Sequence, residues 1–270
     1  MLFCFFFLKT NFPKYQWTAS GDDGVLLGEK YAIKITSYDQ TIVECDTLFK
    51  ELQLPILEAR IITPEDKSLW IEVGKALNDV EYKDKYGKEI NHITQALVMN
   101  RIRGVELHKL SLDKPIEKET LHQLFHDIGK LVVIDLYVRN YDRFPLSVFR
   151  DELLHSEFDD VGDERWIPWD ENPENIFIDI TSGRAIPIDS ASYFKGIDTT
   201  AYRTIVRHLL SQQIQEIMWH ILTSPNYARL FCPSIDMANE SIIQHAKQLG
   251  IYAKLHAGME EAMGFIGNKL

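Results

Sequence analysis

The stretch Asn140-Tyr-Asp-Arg-Phe-Pro145, followed by Asn172-Pro-Glu-Asn175-Ile-Phe-Ile-Asp179 and Ile186-Pro-Ile-Asp189-Ser190, decides how this sequence folds. It begins where a helix stops. From Lys118 to about Val138, the residues Leu121, Leu124, Phe125, Ile128, Leu131 and Val132 recur at helical spacing. The pattern is lost at Asn140. Two short apolar runs then follow, Ile176 to Asp179 and Ala185 to Ile188, and Thr181-Ser-Gly-Arg184 between them reads as a hairpin turn. Asn175 enters the first hairpin strand and Asp189 leaves the second. An antiparallel pair brings that entry beside that exit, so the two residues are expected at one spot. Asp142 lies in the loop that precedes them.

Outward from this centre the chain changes character. The first hundred residues hold short strand-like runs at Tyr31 to Ile35, Ile56 to Ile62, Ser68 to Val73 and Ala96 to Met99. One helix interrupts them, about Thr41 to Leu52, where Cys45, Leu48, Phe49 and Leu52 make a single stripe. Gln53-Leu-Pro55 ends it, because the residue before a proline avoids helical backbone. After the hairpin, helices are predicted at about Thr200 to Thr223, Met237 to Leu249 and His256 to Ile266. Met218 and Trp219 join Val206, Leu210, Ile214 and Ile221 as core of the first of these. The acidic stretch Asp151 to Glu171 reads as a solvent-exposed insertion, and the apolar start Met1 to Leu8 as a buried strand or helix start. The layout is α+β. A strand-rich part with one helix covers 1–104, and a mostly helical part covers 105–270.

Phosphoryl transfer from ATP needs few groups: a lysine on the phosphates, an acid to hold that lysine, an Asp to orient the acceptor hydroxyl, and an Asn and a second Asp for Mg²⁺. Positioning and charge neutralisation then do most of the catalysis. All of these groups occur in order. Tyr31-Ala-Ile-Lys34 matches the Val-Ala-Ile-Lys strand, and Ala32 lies within it. Glu44, on the apolar side of the following helix, is the expected partner of Lys34, with Glu51 as the second choice. The turn Ser20-Gly-Asp-Asp-Gly24-Val25 would cover the phosphates, with Gly21, Gly24 and Val25 closest. Met99, Asn100 and Ile102 would meet the adenine through backbone groups. Asp142 would be catalytic together with Lys34, and Asn175 and Asp189 would bind Mg²⁺.

The runs 140–145, 172–175 and 188–189 resemble the catalytic domain of the actin-fragmin kinase family. This is an atypical branch of the protein-kinase-like fold, close in motif style to the phosphoinositide kinases. The likeness covers about residues 15 to 225 and is strongest from 128 to 190. It implies a bilobal kinase-like fold, with a strand-rich N-lobe and hinge at 1–104 and a helical C-lobe at 105–270. It also implies ATP and Mg²⁺ as cofactors and transfer to a protein Ser/Thr hydroxyl. A cytoskeletal substrate follows from the family's name alone. The His-Arg-Asp, Asp-Phe-Gly and Ala-Pro-Glu triplets of ordinary protein kinases are absent.

Other readings stand beside this one. Asp22 and Asp23 put two carboxylates in the phosphate-covering turn, which a pseudokinase binding module would tolerate and an ATP site would resist. A lipid or small-molecule kinase is a further alternative, but Lys195 and Arg203 are the only cations between Asp189 and Arg207, few for an anionic head group. His126-Asp127 resembles the His-Asp pair of metal-dependent phosphohydrolases, with His92 and Asp135 or Asp142 as further ligands. That superfamily is helical, and the strands of the first hundred residues fit it poorly. His122 and His126, one turn apart, read as plain helix surface.

Composition sets the outer bounds. Lys+Arg is 29 and Asp+Glu is 40, for a net charge of −11, which argues against broad nucleic-acid binding. Cys4, Cys45 and Cys232 are too few and scattered for a disulfide framework or a zinc site, which points to a reducing, cytoplasmic setting, with export as an effector left open. No apolar run approaches the roughly 20 residues of a membrane span.

Overall fold

Strand pairing organises the first part of the chain. In the computed structural model, β1 (Thr18–Ser20), β2 (Val25–Leu27), β3 (Tyr31–Lys34), β4 (Ala59–Ile62) and β5 (Ala96–Asn100) form one antiparallel sheet in the order β1-β2-β3-β5-β4. The helix α1 (Thr41–Glu51) connects β3 to β4. The residues described are 18–20, 25–27, 31–34, 41–56, 59–68, 70, 71, 74, 95–100, 104–110, 116–153, 171–179, 182–188, 199–232 and 237–267.

The register sets Val25 opposite Lys34 and Ala32 opposite Met99. Ala32, Ala96, Leu97, Val98 and Met99 are buried, which accounts for the unbroken apolar run at 96–99. The expected strand Ser68 to Val73 is not formed: residues 67, 68, 70, 71 and 74 are helical. Thr63-Pro-Glu-Asp66 is the cause. The Asp66 carboxylate accepts from the Thr63 N–H at 3.2 Å, and the Trp70 N–H donates to the Asp66 carbonyl at 3.0 Å.

The second part begins with β6 (Gly104–Glu106), which joins the hairpin β7 (Ile176–Asp179) and β8 (Ala185–Pro187) in a three-stranded sheet. Its helices are α2 (Lys118–Val138), the one-turn α3 (Arg150–Leu153), α4 (Thr199–Thr223, kinked at Gln213), the short α5 (Pro225–Ala228), α6 (Asn239–Leu249) and α7 (Ile251–Gly267). The chain is therefore α+β, and it divides into two compact units, 1–46 with 56–104 and 47–55 with 105–270. Residues 47–55 belong with the second unit because Lys130 Nζ of α2 donates to the Leu52 carbonyl at 3.0 Å and Arg184 donates to the Gln53 carbonyl at 2.6 Å. Among the described residues no helix is long and apolar enough to cross a membrane.

α2 is the spine of this unit. From Asp127 to Val138 all its residues are buried, so the single stripe expected from sequence widens to the whole circumference. α7 packs along it, and the two backbones touch at a pair of glycines. A Cβ on Gly129 would run into the Leu255 carbonyl oxygen, and one on Gly258 into the His126 carbonyl oxygen. α7 starts at Ile251 rather than near His256, because Gly250 takes the left-handed conformation (φ 79°) that closes α6 and α7 begins at the next residue.

The acidic stretch Asp151 to Glu171 is anchored at both ends, contrary to a purely exposed insertion. Leu153 is buried, and Glu171 accepts a hydrogen bond from Ser224 Oγ at 2.6 Å. The segment 154–170 lies outside the described residues, as does the apolar start 1–8.

Two glycine substitutions on α7 test the backbone contact. Gly258→Ala must force α2 and α7 apart and should cost about 1–3 kcal/mol or more. Gly264→Ala meets nothing within 4 Å and should stabilise by about 0.5–1 kcal/mol. Urea unfolding of both variants reads this directly, and equal stabilities would overturn the contact.

Candidate active site

The site is built from the end of α2. Arg139 adopts a left-handed conformation (φ 62°), and its N–H and that of Asn140 return to the carbonyls of Leu136 and Asp135. The chain turns sharply there and enters the run Tyr141 to Pro145. Tyr141 and Tyr202 share a hydrogen bond of 2.5 Å between their hydroxyls, and Tyr202 donates to the Leu136 carbonyl at 2.6 Å. These bonds fix the turn against α4.

Arg143 is fully buried and uses its whole guanidinium fork. Nη1 pairs with both carboxylate oxygens of Asp135, Nε donates to the Asn175 carbonyl at 3.2 Å, and Nη2 donates to the Ile188 carbonyl at 2.9 Å. One side chain thereby joins the helix end, the entry of β7 and the residue before Asp189. Burial pushes the Asp135 carboxyl up, and the Arg143 charge draws it back; the same contact raises the guanidinium of Arg143 against its own desolvation. The backbone of Arg143 is held too, since Tyr227 donates to its carbonyl at 2.8 Å.

Around this pair the loops close on one another. The Asn172 N–H donates to the Asp142 carbonyl at 2.6 Å, the Ile188 N–H to the Asn175 carbonyl at 3.0 Å, and the Glu174 N–H to Asn172 Oδ1 at 3.1 Å. The turn Pro173–Asn175 thus delivers Asn175 to the loop. Asn175 Nδ2 donates to Asp142 Oδ2 at 2.9 Å. Asn175 is fully buried, and its Oδ1 has no hydrogen-bond partner among the described residues. An unpaired buried acceptor costs about 1–3 kcal/mol, so such an atom calls for a reason. Hard divalent cations take oxygen ligands, and Asn175 Oδ1 is an oxygen of that kind.

Of the residues singled out from sequence, Asp142 and Asn175 are in contact, and Arg143 holds them. Asp189 lies outside the described residues, although Ile188 before it is fixed by two hydrogen bonds. Gly21, Gly24 and Ile102 also lie outside. Val25, Lys34 and Asn100 are placed in strands, and Glu44 in α1, by backbone alone. Glu51 is exposed at the end of α1, and Ala32 and Met99 are buried cross-strand neighbours.

The His126-Asp127 pair does other work. Asp127 is fully buried and accepts from Arg184 Nε at 2.6 Å, Arg184 Nη2 at 3.1 Å, the Ala185 N–H at 3.1 Å and Gln123 Nε2 at 3.1 Å. It pins the hairpin β7–β8 to α2. His126 faces Glu261 at 3.3 Å, and His122 bonds the Leu249 carbonyl at 2.7 Å, so neither is plain helix surface. Lys130, which the sequence did not single out, pairs with Glu261 at 2.7 Å while bonding the Leu52 carbonyl. Among the described residues no group of three or more His, Cys, Asp or Glu is placed to hold a metal ion. No protein-family model and no curated protein matches the chain.

Removing the guanidinium should loosen the whole assembly. Arg143→Met leaves Asp135 buried without its partner and should cost about 3–5 kcal/mol. Arg143→Lys keeps the charge but not the fork, and should cost about 1–3 kcal/mol for each carbonyl it no longer reaches. Chemical denaturation checks both; a loss under about 0.5 kcal/mol, typical of a surface change, would contradict this role.

Proposed function

We propose that the chain is an atypical ATP-dependent kinase that transfers the γ-phosphoryl group to a protein Ser/Thr hydroxyl. The observation that carries this reading is the Asp142–Asn175 contact, together with the buried Asn175 Oδ1, which has no hydrogen-bond partner among the described residues. The resemblance to the actin-fragmin kinase family adds to it. So does the sheet order β1-β2-β3-β5-β4, with α1 between the lysine-bearing strand β3 and β4.

In this reading Asp142 accepts the hydrogen bond of the acceptor hydroxyl and orients it for in-line attack. Asn175, with Asp189, would hold Mg²⁺, which when bound neutralises charge on the phosphates. Lys34 takes the α/β-phosphates and Glu44 steadies Lys34; these two roles rest on sequence pattern. Arg143 is a positioning residue: it touches no substrate and acts by holding Asp142's loop and the two strand ends. A pseudokinase binding module is the second reading, favoured by Asp22 and Asp23 before Val25, whose carboxylates would repel nucleotide phosphates.

Two measurements separate these readings. ATP with Mg²⁺ at about 100 times its dissociation constant should stabilise the wild type by about 2.7 kcal/mol, and Asp189→Ala should lose most of that gain. Asp142→Asn should keep the gain and lose about 10²- to 10⁴-fold in phosphoryl transfer to a protein acceptor, followed with γ-labelled ATP. Stabilisation without transfer by the wild type would overturn transfer to a protein acceptor while keeping the nucleotide site. No stabilisation in any form would sink the active-kinase reading and favour the pseudokinase module.

A further inference from the structure

We propose that His108 is a positioning residue of the candidate site: through the Glu174 side chain it holds the turn that presents Asn175, an inference that rests on the kinase reading for the role of Asn175. His108 lies in the single 3₁₀ turn Leu107–Lys109 that directly follows β6, and this turn packs against the turn Pro173–Asn175. Its ring spans two carboxylates. Nδ1 stands 3.4 Å from Glu106 Oε2, and Nε2 stands 3.5 Å from Glu174 Oε1. Arg229, just past α5, donates to the Leu107 carbonyl and so anchors the ring's own turn.

The ring proton follows from its surroundings. Burial, then the charges of Lys109 and Arg229, hold the His108 imidazole below its usual pKa, so at neutral pH one ring nitrogen carries the hydrogen. Glu106 is buried, and Lys109 Nζ already meets its Oε2 at 2.5 Å. His108 Nδ1 has no hydrogen-bond partner among the described residues. The hydrogen therefore belongs on Nε2, facing Glu174. At 3.5 Å this contact is electrostatic more than directional. Burial pushes the Glu106 carboxyl up, Lys109 draws it back and Glu174 pushes it up again, so the two carboxylates sense one another across the ring. Glu174 directly precedes Asn175, and its N–H donates to Asn172 Oδ1 at 3.1 Å. Backbone and side chain of Glu174 are thus held from opposite sides. The Asn175 N–H donates to the Asn172 carbonyl at 3.1 Å, and the Asn175 carbonyl accepts from Ile188, so a loosened Glu174 slackens the bonds that place Asn175.

The test follows amide hydrogen exchange in the full chain, with the Mg²⁺ requirement of ATP stabilisation as a second reading. His108→Leu keeps the bulk and loses the donor; it should speed exchange at the Asn175 and Ile188 amides about 3- to 10-fold and leave the amides of α7 unchanged. His108→Gln restores a donor and should return both amides toward the wild-type rate. His108→Leu should also raise the Mg²⁺ concentration needed for half of the ATP stabilisation about tenfold, the lower end for a residue standing behind a metal ligand, and His108→Gln should not. Glu174→Ala should speed the same amides as much as His108→Leu, and the double variant should do no more than either alone. This arm decides the matter even where His108→Leu does not fold, since unchanged exchange in Glu174→Ala would overturn the proposal. So would unchanged exchange in His108→Leu, Leu and Gln variants that behave alike, or additive effects in the double variant. A wild type that ATP and Mg²⁺ do not stabilise would sink the active-kinase reading and leave the placement of His108 to the exchange comparison, which uses no nucleotide.

Discussion

The buried pair of Arg143 and Asp135 is the constraint on which the second unit's loops depend. Taking two charges out of water costs several kcal/mol each, and their attraction offsets this without a large surplus. The pair is therefore better understood as a locator than as a source of stability. Each donor of the guanidinium has one place to go: the helix end through Asp135, the entry of β7 through the Asn175 carbonyl, and the exit of β8 through the Ile188 carbonyl. Three segments far apart in sequence meet because one planar group fits all three at once. Asp142 and Asn175 gain their relative position from it, which is what a site working by preorganisation needs.

A second tier repeats the device one turn or more earlier on α2. Asp127 receives Arg184 and the Ala185 N–H, so it holds the far end of the same hairpin. Lys130 reaches the Leu52 carbonyl and Glu261 together. Residues 127, 130 and 135 thus turn α2 into a rack with charged pegs along a helix that is otherwise apolar and buried. The polar residues in it are not defects in the stripe; each meets a partner that the helix alone does not supply.

The parts of the fold legible in sequence were those with local causes. Helical spacing along Leu121 to Val132, the Ser-Gly turn of the hairpin and the proline after α1 each act within a few residues, and the corresponding elements are present. The run 140–145 and the turn 172–175 stood out because polar residues of defined type cluster there. The helix after Thr63 was misread as a strand: Ser68 to Val73 looks strand-like by composition, while the capping contact of Asp66 acts on the backbone before it. What pairs with what across the unit was not legible. Nothing local to Gly129 announces Gly258, and nothing near His122 announces the Leu249 carbonyl. The two histidines read as plain helix surface for that reason, since their partners come from helices written much later in the chain.

The glycine contact between α2 and α7 also governs when the second unit can be completed. α2 is its first long helix and α7 its last, so its spine stays uncovered through most of synthesis. With chains elongating at about 5–20 residues per second, an apolar helix buried on every side in the finished protein must wait several seconds for its cover. Such long-range closure is slow and leaves apolar surface open to association in the interval. A chain interrupted before Gly258 would keep the 140–145 loop sequence intact and still present α2 with one flank bare, a target for chaperones.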